Sequence, residues 1–225
     1  MNMNYKIDSD CESQIRTYKE NPQEYYRSVA DSMGDAIFKS KYRGTHFYRN
    51  SAISSAIHII NLMNYRVGVE LGISYAHSTV TILTHCDQLE KLYAVDCYKP
   101  YKDYYTSNIE VDRYEIEIIK NIALKTLSST NNKEKLSLII EDSDLVVDKF
   151  DDEELDFAFL DAHLNSEHIK KDLQKWYPKV RKGGMVAIHD TCYQTVLNEI
   201  EIFMEENNFS GKFSNYDNLV CLIKS

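Results

Sequence analysis

The chain has 225 residues, enough for one sizeable core, and its 43% hydrophobic and 27% charged residues form an ordinary globular balance. Its 26 basic residues face 35 acidic ones, a formal net charge of -9, which excludes the broad basic face that a nucleic-acid binder needs. No apolar run approaches a membrane span, residues 1–6 hold no apolar signal core, and the 5 cysteines form no CxxC pair, so reduced thiols in a cytoplasm are expected.

Residues 1–64 read as a helical N-terminal extension ahead of a core domain over 65–225. Segments 13–26 and 50–64 have helical character, and Ile53, Ala56, Ile57 and Ile60 share one helical face. From residue 65 short apolar runs alternate with amphipathic ones. Strands are predicted over 67–71, 92–95, 136–140, 157–160 and 185–188. Helices are predicted over 76–85, 111–127, 145–150, 167–177 and 196–206. In the second of these helices Ile116, Ile119, Ala123 and Leu127 recur at helical spacing. Pro178 and Gly183-Gly184 read as the turn before the fifth strand. Two further β runs, 209–213 and 219–223, flank a polar link and suggest an antiparallel hairpin closing the sheet edge. The alternation predicts an α/β fold, a mostly parallel sheet with helices on both faces.

The first strand carries an acid near its end, Val67-Gly68-Val69-Glu70-Leu71, before the turn Gly72-Ile73-Ser74-Tyr75-Ala76. The second, Leu92-Tyr93-Ala94-Val95, is followed at once by Asp96. Acids at the ends of two successive parallel strands suit a nucleoside site, where a carboxylate after the second strand accepts both ribose hydroxyls. The turn lacks the G-x-G-x-x-G pattern, and Tyr75 would crowd a pyrophosphate, which counts against a dinucleotide.

Over residues 65–225 the chain resembles class I S-adenosylmethionine-dependent methyltransferases, and most closely the metal-dependent O-methyltransferases of small molecules and sugars. Five matches carry the resemblance. Val69-Glu70-Leu71-Gly72 is similar to the family's first motif, and Val95-Asp96 to its ribose-binding strand. Glu141-Asp142-Ser143 follows strand three, where the family has a Gly-Asp-Ser-like adenine contact. Phe159-Leu160-Asp161-Ala162-His163 is similar to its Phe-Ile-Asp-Gly-Asp-His-like motif. Lys182-Gly183-Gly184 through His189-Asp190 is similar to its Pro-Gly-Gly strand that ends in an acid. Ala76, Glu141, Ala162 and Lys182 depart from the family pattern, Ala76 standing where a further glycine is usual.

The resemblance implies a Rossmann-like sheet of seven strands and S-adenosyl-L-methionine as cofactor. Glu70 is then a candidate for the methionine amino group. The backbone of Gly72 to Ser78, with the Ser74 and Ser78 hydroxyls, suits the methionine carboxylate. Asp96 takes the ribose, Asp142 the adenine amino group, and Ser143 a ring nitrogen. Asp161 and Asp190 end neighbouring strands, so they are expected side by side, holding Mg2+ or another divalent cation, with Asp161 also able to touch the cofactor. His163 is the candidate general base on an acceptor hydroxyl. His189 and Thr191 flank Asp190 as a third ligand or as groups behind it, and a packed, hydrogen-bonded His189 is the plainer reading.

The expected reaction is methyl transfer to a small hydroxylated metabolite, a sugar among the candidates, with no nucleic-acid or membrane partner and a homodimer as the commonest assembly. Two alternatives stand beside it: a metal-independent methyltransferase relying on His163, and a catalytically silent nucleoside-binding interaction protein. Tyr98, Tyr101, Tyr104 and Tyr105 are either a substrate lid or aromatic packing, and Asp151-Asp152-Glu153-Glu154 is a solvated loop.

Overall fold

The computed structural model describes residues 51–103, 109–111, 113–130, 132–216 and 218–225. Its strands are β1 (Val67–Leu71), β2 (Lys91–Val95), β3 (Tyr101–Asp103), β4 (Ile109–Val111), β5 (Leu136–Ile139), β6 (Leu155–Leu160), β7 (Val180–His189), β8 (Lys212–Tyr216) and β9 (Leu219–Ile223). Its helices are α1 (Ser51–Leu62), α2 (His77–His85), α3 (Arg113–Ser128), the single turn α4 (Ser143–Val146), α5 (Ser166–Trp176) and α6 (Gln194–Glu206).

Seven strands form one sheet in the order β5-β2-β1-β6-β7-β9-β8, while β3 and β4 pair separately. The first five in that order run parallel, and β9 pairs antiparallel with both β7 and β8. The central strands are apolar almost throughout because helices cover both faces. On one face Ile53, Ala56, Ile57 and Ile60 of α1 join Ile82 and Leu83 of α2 against Phe157, Phe159 and Met185. On the other, Ile169, Leu173 and Trp176 of α5 and Ile200 and Phe203 of α6 cover Val69, Leu71, Val186 and Ile188. A third cluster sets Ile116, Ile119, Ala123 and Leu127 of α3 against Ala94 and Tyr98.

The helix expected over 50–64 is therefore an integral wall of the core, and the helical run expected over 13–26 lies outside the described residues. Gly183-Gly184 is no turn. Both lie inside β7, where the register against β6 shifts between Leu155 and Phe157. The Gly183 amide donates to the Lys224 carbonyl (2.8 Å) and the Lys224 amide to the Gly184 carbonyl (3.0 Å), which ties the irregular segment to the hairpin. Gly183 has φ +73°, and a Cβ on Gly184 would fall 2.5 Å from the Asp156 carbonyl oxygen, so both glycines are fixed by backbone sterics. The first run of the C-terminal hairpin sits three residues later than expected, at 212–216, because pairing with apolar β9 outweighs the polar character of Ser214 and Asn215. The β3–β4 pair, in a stretch the pattern leaves as a tyrosine-rich loop, is additional.

The chain leaves β1 toward β2 and β5 on one side, and returns through β6 and β7 on the other. That reversal opens a crevice beyond the carboxyl ends of β1 and β6, where open α/β sheets bind ligands.

Candidate active site

The parallel register decides which side chains meet. Leu71 pairs with Val95 and with Leu160, and Leu160 pairs with Ile188. The residues just beyond these positions are Gly72, Asp96, Asp161 and His189, so they share one rim. Gly72 must be glycine on two counts. Its φ is +79°, and a Cβ there would lie 2.4 Å from both Ala162 Cα and the Asp161 carbonyl oxygen. A cleft of about 610 Å3 opens over this rim, lined by Asp96, Tyr98, Asp142, Asp161, His163, Asp172 and His189 among others.

At the first strand, Glu70 is fully buried and its Oε1 accepts from the Ser78 hydroxyl. That engages Ser78, expected to face a carboxylate ligand. Glu70 Oε2 and Thr79 Oγ1 are both buried without a hydrogen-bond partner: the hydroxyl lies close enough to favour the charged carboxylate but misses bonding geometry. Burial pushes the Glu70 carboxyl up to about 7, opposed by the Ser78 and Thr79 hydroxyls and reinforced by the negative charges of Asp161 and Asp96.

The turn beyond β1 takes left-handed conformations at Ser74 (φ 46°) and at Ala76 (φ 65°), the position where the family has glycine. Asp96 locks it: Oδ2 accepts from the Ser74 amide (2.9 Å) and Oδ1 from the Tyr98 amide (2.8 Å). The Tyr98 hydroxyl donates to the Ser74 carbonyl (2.9 Å), and the ring packs with Ile73 and Ile116, so this tyrosine is packing and not a mobile cover. The side chains of Tyr101, Tyr104 and Tyr105 fall outside the description. Burial raises the Asp96 carboxyl, and the Tyr98, Ser74 and Ile73 amides oppose the rise.

Beyond β5, Asp142 caps α4 by accepting from the Asp144 amide (3.2 Å), with the Lys99 ammonium 3.9 Å from its other oxygen. The Ser143 hydroxyl donates to Asp172 Oδ1 (3.0 Å). Asp172 is a site residue that the pattern of strand ends does not reveal. It is buried on α5 and lines the cleft, and burial pushes its carboxyl up to about 7. The signal for it is an acid embedded in the apolar stripe Ile169, Leu173, Trp176.

At β6 and β7, Asp161 Oδ1 lies 2.8 Å from His189 Nδ1, and Asp190 Oδ1 lies 3.5 Å from the same nitrogen. Ligand atoms of Asp161, His189 and Asp190 all fall within 4.8 Å of one another. Asp190 holds φ +59°, a left-handed conformation that is uncommon for a non-glycine residue. Burial alone would lower the His189 imidazole; its bond to Asp161 and the charges of Asp161 and Asp190 outweigh that and raise it. Thr191 is buried beside them. Asn218, a second residue missed from sequence, arrives from the β8–β9 turn: its Nδ2 lies 3.1 Å from His189 Nε2 and 3.2 Å from Asp190 Oδ1.

His163 stands apart from that trio in its contacts. Its ring packs on His168, with centroids 4.3 Å apart, and the surrounding protein and then His168 hold it below the usual histidine value, against the charges of Asp142 and Asp144. Asp151 to Glu154 are exposed.

Residues 69–191 match the family model described as a methyltransferase domain. The chain belongs to that family. Its sheet order, with Glu70 near the end of β1 and Asp96, Asp161 and Asp190 beyond β2, β6 and β7, agrees with the class I S-adenosylmethionine-dependent methyltransferases that the sequence resembles. Solved methyltransferases share the fold at low identity. One is a provisional caffeoyl-CoA O-methyltransferase from Staphylococcus aureus, 14% identical with a TM-score of 0.60 over 91% of this chain and 99% of that one. Another is a Bacillus cereus O-methyltransferase in complex with SAH, 12% identical with a TM-score of 0.55 over 88% and 91%. A third is TomG from Streptomyces achromogenes, involved in tomaymycin synthesis and in complex with SAM, 12% identical with a TM-score of 0.54 over 77% and 79%. No curated protein sequence matches the chain.

The methyltransferase's own residues fit such a cofactor. The orphaned Glu70 Oε2 is a buried acceptor beside Asp96 and Asp161, which an ammonium group would satisfy. The cleft volume is in the range of sites for ligands of this size. Among the described residues no helix is long and apolar enough to cross a membrane.

Proposed function

We propose that this methyltransferase carries the methyl group of S-adenosyl-L-methionine to a hydroxyl oxygen of a small metabolite, a sugar or a similar polyhydroxylated compound. The observation that carries the reading is that Asp96 and the Asp161–His189–Asp190 trio line one cleft, with the buried Glu70 carboxylate beside Asp96 and Asp161 behind its rim. The neighbours named as O-methyltransferases support the choice of oxygen.

Two carboxylates and an imidazole within 4.8 Å form a donor set that a divalent cation such as Mg2+ can use. Asp161 and Asp190 are the proposed ligands, with His189 orienting Asp161 through its Nδ1–H. A bound cation there lowers the pKa of an acceptor hydroxyl. The remaining work falls to the chain. Asp96 would hold the ribose, and holding the cofactor in place against the acceptor would supply much of a displacement's acceleration. His163, held neutral by its surroundings, is the proposed acceptor of the hydroxyl proton. The four described cysteines are free, in keeping with a cytoplasmic setting.

Calorimetric titration of S-adenosylmethionine and S-adenosylhomocysteine, with and without magnesium, on the wild type and Asp96→Ala tests the reading. Binding by the wild type and its loss in the variant are expected. No binding by the wild type under any condition overturns it. Turnover that survives a chelator removes the cation and leaves the His163-only mechanism.

A further inference from the structure

The end of the cleft beyond β5 has two acids that differ in what they already hold. Asp142 has a structural duty: its Oδ1 caps α4 through the Asp144 amide, and the exposed Lys99 ammonium stands 3.9 Å from its Oδ2. Asp172 holds one partner, the Ser143 hydroxyl on Oδ1, and borders the cleft while being 6% exposed. Asp144 is paired with Lys171 (2.7 Å) and Lys175 (3.1 Å), and Lys171 acts on Asp172 only through its charge. A buried carboxylate opening onto a cavity, with an oxygen to spare, calls for an N–H or O–H donor from whatever fills that cavity. Ile169, one helical turn before Asp172, and Leu164 line the same cleft and offer the apolar wall that a flat base requires.

The Ser143 bond carries a further consequence. A hydroxyl has one proton, and Ser143 donates it to Asp172. The hydroxyl then cannot donate to a ring nitrogen, while the charge-bearing acceptor stands behind it. Resting on the S-adenosylmethionine reading, we propose that Asp172, braced by Ser143, is the residue that accepts the N6 amino group of the adenine and so sets the base specificity of this site, with Asp142 acting as the cap of α4. Burial keeps the Asp172 carboxyl up to about 7 before the ligand arrives, and an N–H donor would favour its ionised form.

The test compares S-adenosylhomocysteine with S-inosylhomocysteine, which carries a carbonyl in place of the N6 amino group, by calorimetry on wild type, Asp172→Asn, Asp142→Asn and Ser143→Ala. The wild type is expected to favour the adenine compound by about 10-fold or more, the scale of a charge-assisted bond with an unpaired group left in its absence. Asp172→Asn turns an NH2 toward the base, because its oxygen stays with Ser143. The preference should fall to parity or reverse, chiefly through loss of adenine affinity. Asp142→Asn should leave the ratio as in the wild type. A ratio unchanged in Asp172→Asn but lost in Asp142→Asn overturns the assignment, as does an equal loss for both compounds, which marks Asp172 as a structural tie between α4 and α5. If Asp172→Asn fails to fold, Ser143→Ala decides: a changed ratio supports the pair as reader, an unchanged one overturns it. Equal wild-type binding of both compounds sinks base reading alone, whereas binding of neither sinks the cofactor reading beneath it.

Discussion

Asn218 Nδ2 lies 3.1 Å from His189 Nε2, and this sets the tautomer of the neutral imidazole. The Asn218 oxygen is occupied by the Cys192 amide at 3.0 Å, a backbone donor that cannot reverse its role. The carboxamide nitrogen is therefore the group facing His189, so Nε2 accepts and the ring proton sits on Nδ1, where it is donated to Asp161 (2.8 Å). The same nitrogen reaches Asp190 Oδ1 at 3.2 Å. One residue of the hairpin turn thus orients both proposed cation ligands, Asp190 directly and Asp161 through His189.

Removing the carboxamide should loosen the cation site without touching the cofactor. Asn218 has φ +61°, so Asn218→Gly is the appropriate variant, since alanine would add backbone strain of about 1 kcal/mol. Magnesium and manganese affinity is expected to fall by about 10-fold or more, as for other groups behind a metal ligand. S-adenosylhomocysteine affinity should stay within about 2-fold of wild type. Cation titration of the two proteins checks this, and equal cation affinity would show that Asn218 only closes the turn.

Glu70 makes cofactor binding a proton-releasing event near neutrality. With its carboxyl raised to about 7, the group is partly protonated near neutrality in the free protein. An ammonium brought to Oε2 favours the charged form and expels the proton. Binding of S-adenosylhomocysteine at pH 7 should release protons from Glu70 and Asp172, read from the dependence of the calorimetric heat on buffer ionisation enthalpy. Glu70→Gln should bind more weakly and reduce that dependence, leaving the share that Asp172 contributes. A buffer-independent wild-type heat would place the ammonium elsewhere.

The acids at strand ends are legible in the sequence because each interrupts or follows an apolar run at a place where the alternation of strand and helix already fixes the layer. Glu70, Asp96, Asp161 and Asp190 all come to the cleft rim or directly behind it for that reason. Asn218 is not legible, and Asp172 only as an acid that interrupts an apolar stripe. Asn218 reaches the site only because β9 pairs with β7 in a register that sets Leu219 beside His189, a long-range fact that a hairpin signal does not contain. Asp172 sits on the buried stripe of α5, where helical periodicity predicts an apolar residue. Gly183-Gly184 misleads for a related reason: a glycine pair signals a turn locally, while the sheet uses it to bring β7 close to Asp156 and to Lys224.

Asp172 also gives the fold a pH dependence of definite sign. Its carboxyl moves from 3.8 up to about 7 on folding, so the folded protein binds the proton more tightly than the unfolded chain throughout that window. Stability is then greatest below the unfolded value and is lost as pH rises through the folded one. A shift of this size corresponds to about 4 kcal/mol across the window. Urea unfolding of wild type and Asp172→Asn between pH 4 and pH 8 should show the difference between them moving in favour of the variant as pH rises. Parallel curves would mean that the carboxyl ionises freely in the folded state.

Gly72 couples the two halves of the site, and substituting it should damage both at once. Alanine at φ +79° costs about 1–2 kcal/mol in backbone strain. Its Cβ would also press on Ala162 Cα and the Asp161 carbonyl oxygen at 2.4 Å, and these are backbone atoms that cannot rotate away. Overpacking of this kind costs about 1–3 kcal/mol more. Relief can come only by moving the β6 end away from β1, and the Asp161 amide bond to the Leu71 carbonyl (2.9 Å) lies directly in that path. Gly72→Ala should therefore lose about 2–5 kcal/mol of stability in urea unfolding. It should weaken S-adenosylhomocysteine and divalent cations together. Loss of cofactor affinity alone, with cation affinity intact, would show that the strain is absorbed in the Ser74–Ala76 turn and that the β1–β6 contact holds.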